Sequence, residues 1–159
     1  MSFWLTRYVK SMGENLGVVT SDLWRSAELS AKRLRQLRDE QDVRLMLNLQ
    51  DDLPREEREE IAAAGIELAW VPMRDDAAPS VLSIKDALAV LRRPELKLVC
   101  CKGGRHRTGL IVAVYRVAEQ GWTREEAWRE AEKFGWYSAF GHKPLKDWFF
   151  EVFRPEDFR

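Results

Sequence analysis

Residues 101–109 read Cys-Lys-Gly-Gly-Arg-His-Arg-Thr-Gly, placed between an apolar run from Leu96 to Cys100 and a helical pattern that begins at Leu110. A thiol at the end of a strand meets main-chain N–H groups and the positive end of the following helix, a setting that favours the thiolate and gathers an anion beside it. Gly103 and Gly104 lack Cβ, so the chain can take positive φ there and bring successive amides close to a tetrahedral oxyanion. Arg107 offers a planar fork for two phosphate oxygens, and Thr108 offers a hydroxyl to the sulfur or to negative charge arising on it. Lys102, Arg105 and His106 add positive charge to the loop. A Cys followed six residues later by Arg is a weak signal in an arginine-rich chain. The double glycine, the Thr-Gly after Arg107 and the strand-to-helix setting make it a strong one.

The elements that must position this loop are legible as alternating patterns. Leu16 to Trp24 reads as a short strand or hairpin turning at Thr20-Ser21-Asp22, and Ser26 to Gln41 as a helix with Leu29, Leu34 and Leu37 on its apolar stripe. Val43 to Leu49 is a buried strand. A helix follows from Asp52-Leu53-Pro54, with Glu56, Glu57, Glu59 and Glu60 near its positive end and Gly65 as its stop. Ile66 to Val71 is the next strand, Ser80 to Arg92 the next helix, and Pro94 precedes the strand that delivers Cys101. Leu110 to Gln120 is nearly all apolar in its first two turns, which places it in the core. Thr123 with Glu126 forms a capping box for a helix to about Phe134, and Pro144 to Phe153 is a last amphipathic segment. Strands separated by helices predict an α/β three-layer sandwich, a mainly parallel central sheet with helices on both faces, whose ligands bind at the carboxyl ends of the strands.

The loop resembles the signature of the cysteine-dependent protein tyrosine phosphatase superfamily: Cys, five residues, Arg, then Ser or Thr. It is most similar to the atypical dual-specificity branch, through Leu23-Trp24-Arg25-Ser26-Ala27 with the basic helix after it, Val43-Arg44-Leu45-Met46-Leu47-Asn48-Leu49, and Val71-Pro72-Met73-Arg74-Asp75-Asp76. Bacterial dual-specificity phosphatases share this order of elements. So does the plant and fungal group that includes inositol pyrophosphate phosphatases, whose loops also carry a basic residue and His before the arginine. The resemblance spans roughly residues 17 to 150. It departs at one position, where Cys100 stands in place of the family's His before the nucleophile.

The resemblance implies a phosphotyrosine protein phosphatase-like fold and a phosphocysteine mechanism. Cys101 is the nucleophile, Arg107 and the loop residues Lys102, Gly103, Gly104, Arg105, His106 and Thr108 hold phosphate, and an acid on a loop protonates the leaving oxygen. Asp75 occupies the family's general-acid position in the hydrophobic-Pro-x-x-Asp pattern, with Asp76 as the alternative; one or both acids can instead cap the helix near Ser80 or bond Arg74. Pro79 and two alanines make this segment a hinged flap. The substrate reading is phosphotyrosine, phosphoserine or phosphothreonine in proteins. The alternatives are an inositol phosphate or pyrophosphate, a catalytically silent phosphate-binding module, and an arsenate reductase or rhodanese-like enzyme. The thiol argues against the silent module, and Arg107 against the sulfur-transfer enzymes.

Other residues carry two readings each. Cys100 is a redox partner of Cys101 or a small apolar packing residue; His106 bonds a second phosphate or sits at the loop rim. Trp136-Tyr137 and Phe140-Gly141-His142 line the pocket mouth or pack as core and lid. Arg25-Ser26 braces the loop from behind, and Lys32, Arg33, Arg35 and Arg38 form a solvated helix face.

Composition agrees with a small enzyme. The 159 residues, 45% hydrophobic and 33% charged, are enough for one catalytic domain, residues 1–159 with 1–15 as an N-terminal extension, without disulfides or metal. The formal charge is zero, with 26 basic and 26 acidic residues, which excludes a general nucleic-acid binder. Two adjacent cysteines make no ordinary structural disulfide, and a reactive thiol suits the reducing cytoplasm. The apolar burst Phe3-Trp4-Leu5 is too short for a signal peptide or a membrane span. No metal or cofactor is called for, and a monomer is the simplest assembly.

Overall fold

In a computed structural model of the chain, the described residues are 13–137 and 141–159, with the main chain of 7–8. The readings of Phe3-Trp4-Leu5 and of Phe140 lie outside them. Six strands form one sheet: β1 (Arg7–Tyr8), β2 (Gly17–Thr20), β3 (Leu23–Ser26), β4 (Leu45–Asn48), β5 (Glu67–Trp70) and β6 (Lys97–Cys100), in the order β1-β2-β3-β6-β4-β5. The pairs β3–β6, β6–β4 and β4–β5 are parallel, whereas β1–β2 and β2–β3 are antiparallel. Residues read from sequence as an N-terminal extension therefore contribute a strand to the sheet.

The two faces are covered by different helices because successive side chains on a strand alternate. Leu98 and Cys100 of β6, with Met46, pack under α1 (Ala31–Gln41) and α2 (Arg55–Ala63), through Leu34, Leu37 and Ile61. Val99, Cys101, Leu47 and Leu23 face the opposite way, against α3 (Val81–Leu91), α4 (Arg107–Gln120) and α5 (Arg124–Lys133). The chain then runs through α6 (Lys143–Asp147) into a π-helical turn, Trp148–Val152, whose Phe149 is fully buried. This is the three-layer α/β arrangement read from the pattern.

Several boundaries differ. The first helix starts at Ala31 and not at Ser26, because Ser26 ends β3 opposite Cys100 and the Ser30 hydroxyl caps the helix by accepting from the Arg33 amide. Half of the predicted solvated stripe on this helix is tied down, Arg33 to Glu14 and Arg38 to the Gly65 carbonyl. The helix predicted from Leu110 begins at Arg107, three residues into the loop. The last segment, read as one amphipathic helix, is a short α-helix continued by the π-turn. The cap at Thr123 sits where the sequence places it, and Ser80, read as the first residue of its helix, is instead the N-cap; each hydroxyl accepts an amide three residues on, at 3.1 Å.

Candidate active site

The four parallel strands end on one edge of the sheet, and each delivers part of one cluster. After β6 comes Cys101, at the end of β3 Ser26 and then Ala27, after β4 Asp51, and after β5 the segment Met73–Asp76. A cavity of about 250 Å³ opens there, lined by Cys101 and the loop residues Lys102, Gly103 and Arg105. His106, Arg107, Asp75, Tyr137 and His142 complete its wall. Cys101 is buried and Lys102 and Arg105 are exposed, so the thiol sits deep and the loose positive charge at the rim.

The shape of the loop follows from what holds its carbonyls. The Glu28 amide donates to Lys102 O at 3.1 Å. Arg25 Nη2 donates to Gly104 O at 3.0 Å, and Asn15 Nδ2 to the same oxygen at 3.1 Å. A trans peptide plane points its C=O and N–H in opposite directions. Carbonyls drawn backward at 102 and 104 therefore turn the Gly103 and Arg105 amides forward, toward the cavity. Gly104 has φ +67°, and a Cβ there would lie 2.6 Å from the Ala27 nitrogen and 2.7 Å from the Ser26 carbonyl carbon, so glycine is required. Gly103, predicted to share this role, does not take positive φ, and a Cβ there would meet nothing nearer than Arg105 at 3.9 Å. The chain reverses at one residue, and the second glycine is not needed for it.

Arg107 is the first residue of α4, in a helix whose N-terminus carries no side-chain cap and no acidic residue in its first turn. Those open amides and the helix dipole reinforce the guanidinium. Its Nη1 donates to Asp51 Oδ1 at 3.0 Å and to the Met73 carbonyl at 3.1 Å. With Nη1 occupied, the edge formed by Nε and Nη2 is what remains for an oxyanion, and Nε is buried without a partner in the protein. Thr108 Oγ1 is likewise buried and unpartnered, a donor with an unmet demand.

Arg25, read from sequence as a brace, is fully buried behind the loop, with its guanidinium 3.9 Å above the Phe134 ring. Burial pulls its pKa down to about 10, opposed by the charges of Glu130 and Cys101, so it remains a cation at neutral pH. Cys100 points to the other face of the sheet, among Leu98 and Met46, and burial pushes its thiol up well above the ordinary range. The packing reading of Cys100 is the one its surroundings match.

The two candidate acids diverge. Arg74 clamps Asp76 through two bonds of 2.8 and 2.9 Å, and this holds its carboxyl below the ordinary carboxylate range. Asp75 faces the cavity, with its carbonyl accepting from His142 Nδ1 at 3.1 Å. His106 is buried in the cavity wall, where its Nε2 donates to Tyr137 O at 3.1 Å and its ring stacks on His142. Tyr137 and His142 thus line the mouth, whereas Trp136 is buried against Trp128. Asp51 and Asn15 were not anticipated. Asp51 follows a buried strand at the sheet's ligand-binding edge, a signal that was available; nothing local marks Asn15.

Comparison with known proteins agrees with this geometry. Residues 19–121 match the family described as polymorphic toxin system, DSP-PTPase phosphatase, and the chain belongs to this family of atypical cysteine-based dual-specificity phosphatases. Dual specificity protein phosphatase TpbA of Pseudomonas aeruginosa (strain UCBPP-PA14) is 30% identical over 123 residues, 76% of this chain and 55% of that protein. The chain thus spans about half the length of the curated relatives it matches. The crystal structure of P. aeruginosa TpbA superposes with a TM-score of 0.79 at 24% identity, over 99% of this chain and 96% of that one. The core catalytic domain of the PP-IP phosphatase SIW14 from S. cerevisiae, crystallised with citrate, gives 0.76 at 24% identity, over 91% and 88%. A TpbA variant crystallised with pTyr gives 0.78 at 24% identity, over 99% and 95%. These likenesses establish the phosphatase fold. Among the described residues no helix is long and apolar enough to cross a membrane.

Proposed function

We propose that residues 1–159 act as one catalytic domain that hydrolyses phosphomonoesters, phosphotyrosine, phosphoserine and phosphothreonine in proteins, through a phosphocysteine. The observation that carries this reading is a buried thiol at the floor of a cavity walled by forward-turned amides and by the free edge of an anchored guanidinium. Cys101 thiolate attacks phosphorus in line while the Gly103, Gly104 and Arg105 amides and Arg107 hold the equatorial oxygens. Lys102 and Arg105 add field at the rim, whereas His106, expected from sequence to add charge, is held neutral by burial, and Thr108 gives its hydroxyl to the sulfur. The bond from phosphorus to the leaving oxygen breaks as Asp75 transfers its proton to that oxygen. Water, deprotonated by Asp75, then attacks the phosphocysteine and releases phosphate with the thiolate restored.

Asp75 is the acid rather than Asp76 because a proton donor must hold its proton at working pH, and the Arg74 clamp favours the ionised form of Asp76. Tyr137, half-exposed at the mouth, gives an aryl leaving group a ring to pack on, which supports phosphotyrosine, the ligand named for the TpbA complex. Lys102 and Arg105 at the rim support a second reading, an inositol phosphate or pyrophosphate, the substrate class named for SIW14. Two free thiols suit a reducing compartment, consistent with a cytoplasmic monomer whose site is drawn from one chain.

Metal-free turnover of p-nitrophenyl phosphate tests the reading. Cys101→Ser should abolish it while still binding vanadate; full activity in that variant refutes a cysteine mechanism. Phosphopeptides assayed against inositol polyphosphates then decide the substrate class, with faster turnover of the phosphotyrosine peptide expected.

A further inference from the structure

The chain has two histidines, and both stand at the cavity wall. Their rings lie face to face, with centroids 3.5 Å apart and planes within 9° of parallel. His106 belongs to the phosphate loop, one residue before Arg107. His142 precedes α6 and reaches across to the acid segment, where Nδ1–H donates to the Asp75 carbonyl at 3.1 Å and lies 4.0 Å from Asp75 Oδ2. The Tyr137 ring stands edge-on to both imidazoles, 4.6 Å from His106 and 5.3 Å from His142. Gly141, at φ +95°, passes beside Asp76, where a Cβ would make an ordinary contact of 3.7 Å with Asp76 Cβ.

Among the described residues, the acid segment is tied to the sheet and to Arg107 only at its start. The Val71 amide donates to Asn48 O, the Met73 amide to Leu49 O, and the Met73 carbonyl accepts from Arg107. Past Met73 the chain runs in bends and irregular structure until α3, and the Arg74–Asp76 pair is internal to it. The hydrogen bond that reaches Asp75 from another element comes from His142. Phosphate loop, His106, His142 and Asp75 are therefore one continuous series of contacts between the group that binds the substrate's oxyanion and the group that must protonate its leaving oxygen.

We infer that His142 is a positioning residue for proton transfer: stacked on His106, it holds Asp75 at a fixed distance from the bound phosphoryl group. This rests on Asp75 being the general acid. Proton transfer demands hydrogen-bond reach between donor and leaving oxygen, so a loosened Asp75 loses rate even with its carboxyl intact. The loss falls on substrates whose leaving group needs the proton. A poor leaving group such as phenoxide registers it and a stable one such as 2,4-dinitrophenoxide does not.

The test is steady-state kinetics of the full chain on phenyl phosphate and 2,4-dinitrophenyl phosphate. His142→Phe keeps a flat ring against His106 and removes the donor; His142→Asn removes the ring and keeps an N–H near the Nδ1 position. For His142→Phe, kcat on phenyl phosphate should fall roughly 10- to 100-fold, with a far smaller change on the dinitrophenyl ester and little change in KM. His142→Asn should recover most of that rate. In an Asp75→Asn background, His142→Phe should add nothing further, because the group it positions is gone. Equal losses on both esters, an additive double variant, or no rescue by His142→Asn would overturn the inference. Should His142→Phe not fold, His142→Ala and His142→Asn are compared on the same two esters with the same criteria. Failure of the acid assignment is visible separately, as an Asp75→Asn variant that spares phenyl phosphate.

Discussion

At the residue scale, single atoms decide what the loop tolerates. Gly104→Ala drives a Cβ into the main chain of Ser26 and Ala27 at a left-handed φ, whereas Gly103→Ala enters open space at ordinary φ. We expect Gly104→Ala to cost about 2–3 kcal/mol of stability and most of the activity, and Gly103→Ala to cost under about 1 kcal/mol. Urea melts of both variants check this, and equal midpoints would contradict it. Asp51 acts through Arg107: without its carboxylate the guanidinium loses one of the two acceptors that leave Nε and Nη2 for phosphate. Asp51→Ala should lower kcat/KM on p-nitrophenyl phosphate by about 10- to 100-fold, mostly from misdirected Arg107, with thermal stability little changed because Asp51 is 60% exposed.

At the element scale, the phosphate loop is only as rigid as the helix behind it. α4 runs through the core and is held to α5 by a bidentate pair, Arg116 Nε to Glu130 Oε1 at 3.0 Å and Nη2 to Oε2 at 2.9 Å, both side chains buried. The Arg116 guanidinium also lies 4.2 Å from the Trp122 ring. Removing one partner of a buried pair strands the other charge. Glu130→Leu should therefore cost about 3–5 kcal/mol, read as a fall of roughly 10 °C in Tm, and Arg116→Met with Glu130→Leu should cost less than Glu130→Leu alone. A double variant as unstable as the sum of its singles would contradict this account.

At the scale of the whole molecule, pH links the site to global stability. His106 is held at about 4, below its ordinary 6.5, mainly by burial and next by the charge of His142. The unfolded chain takes up this proton near pH 6.5 and the folded chain does not until about pH 4, so the unfolded state binds more protons in that window. Stability should fall as pH drops from 6.5 toward 4 and be independent of this group above 6.5. In His106→Gln the group is absent, so the stability gap between wild type and variant should change in the variant's favour from pH 7.5 to pH 5, as followed by urea melts. A gap that is constant with pH would remove His106 from the account.

The order of elements, the two-faced sheet and the loop that joins Cys101 to Arg107 were legible in the sequence, because apolar periodicity and the loop's motif are local. A strand of alternating side chains and a helix of regular repeat carry their own pattern, whatever they later pack against. Tertiary structure alone decided the rest. It aims Asp75 at the cavity and gives Asp76 to Arg74, which supports the preference for Asp75 read from sequence. It also brought Asp51 to Arg107, Asn15 to Gly104 and His142 to Asp75, across separations of 56, 89 and 67 residues, and it gave Arg25, read from sequence as a brace, the Gly104 carbonyl as its acceptor. No local pattern encodes such meetings, since they are set by which strands become neighbours and by all four parallel strands ending on the same edge of the sheet.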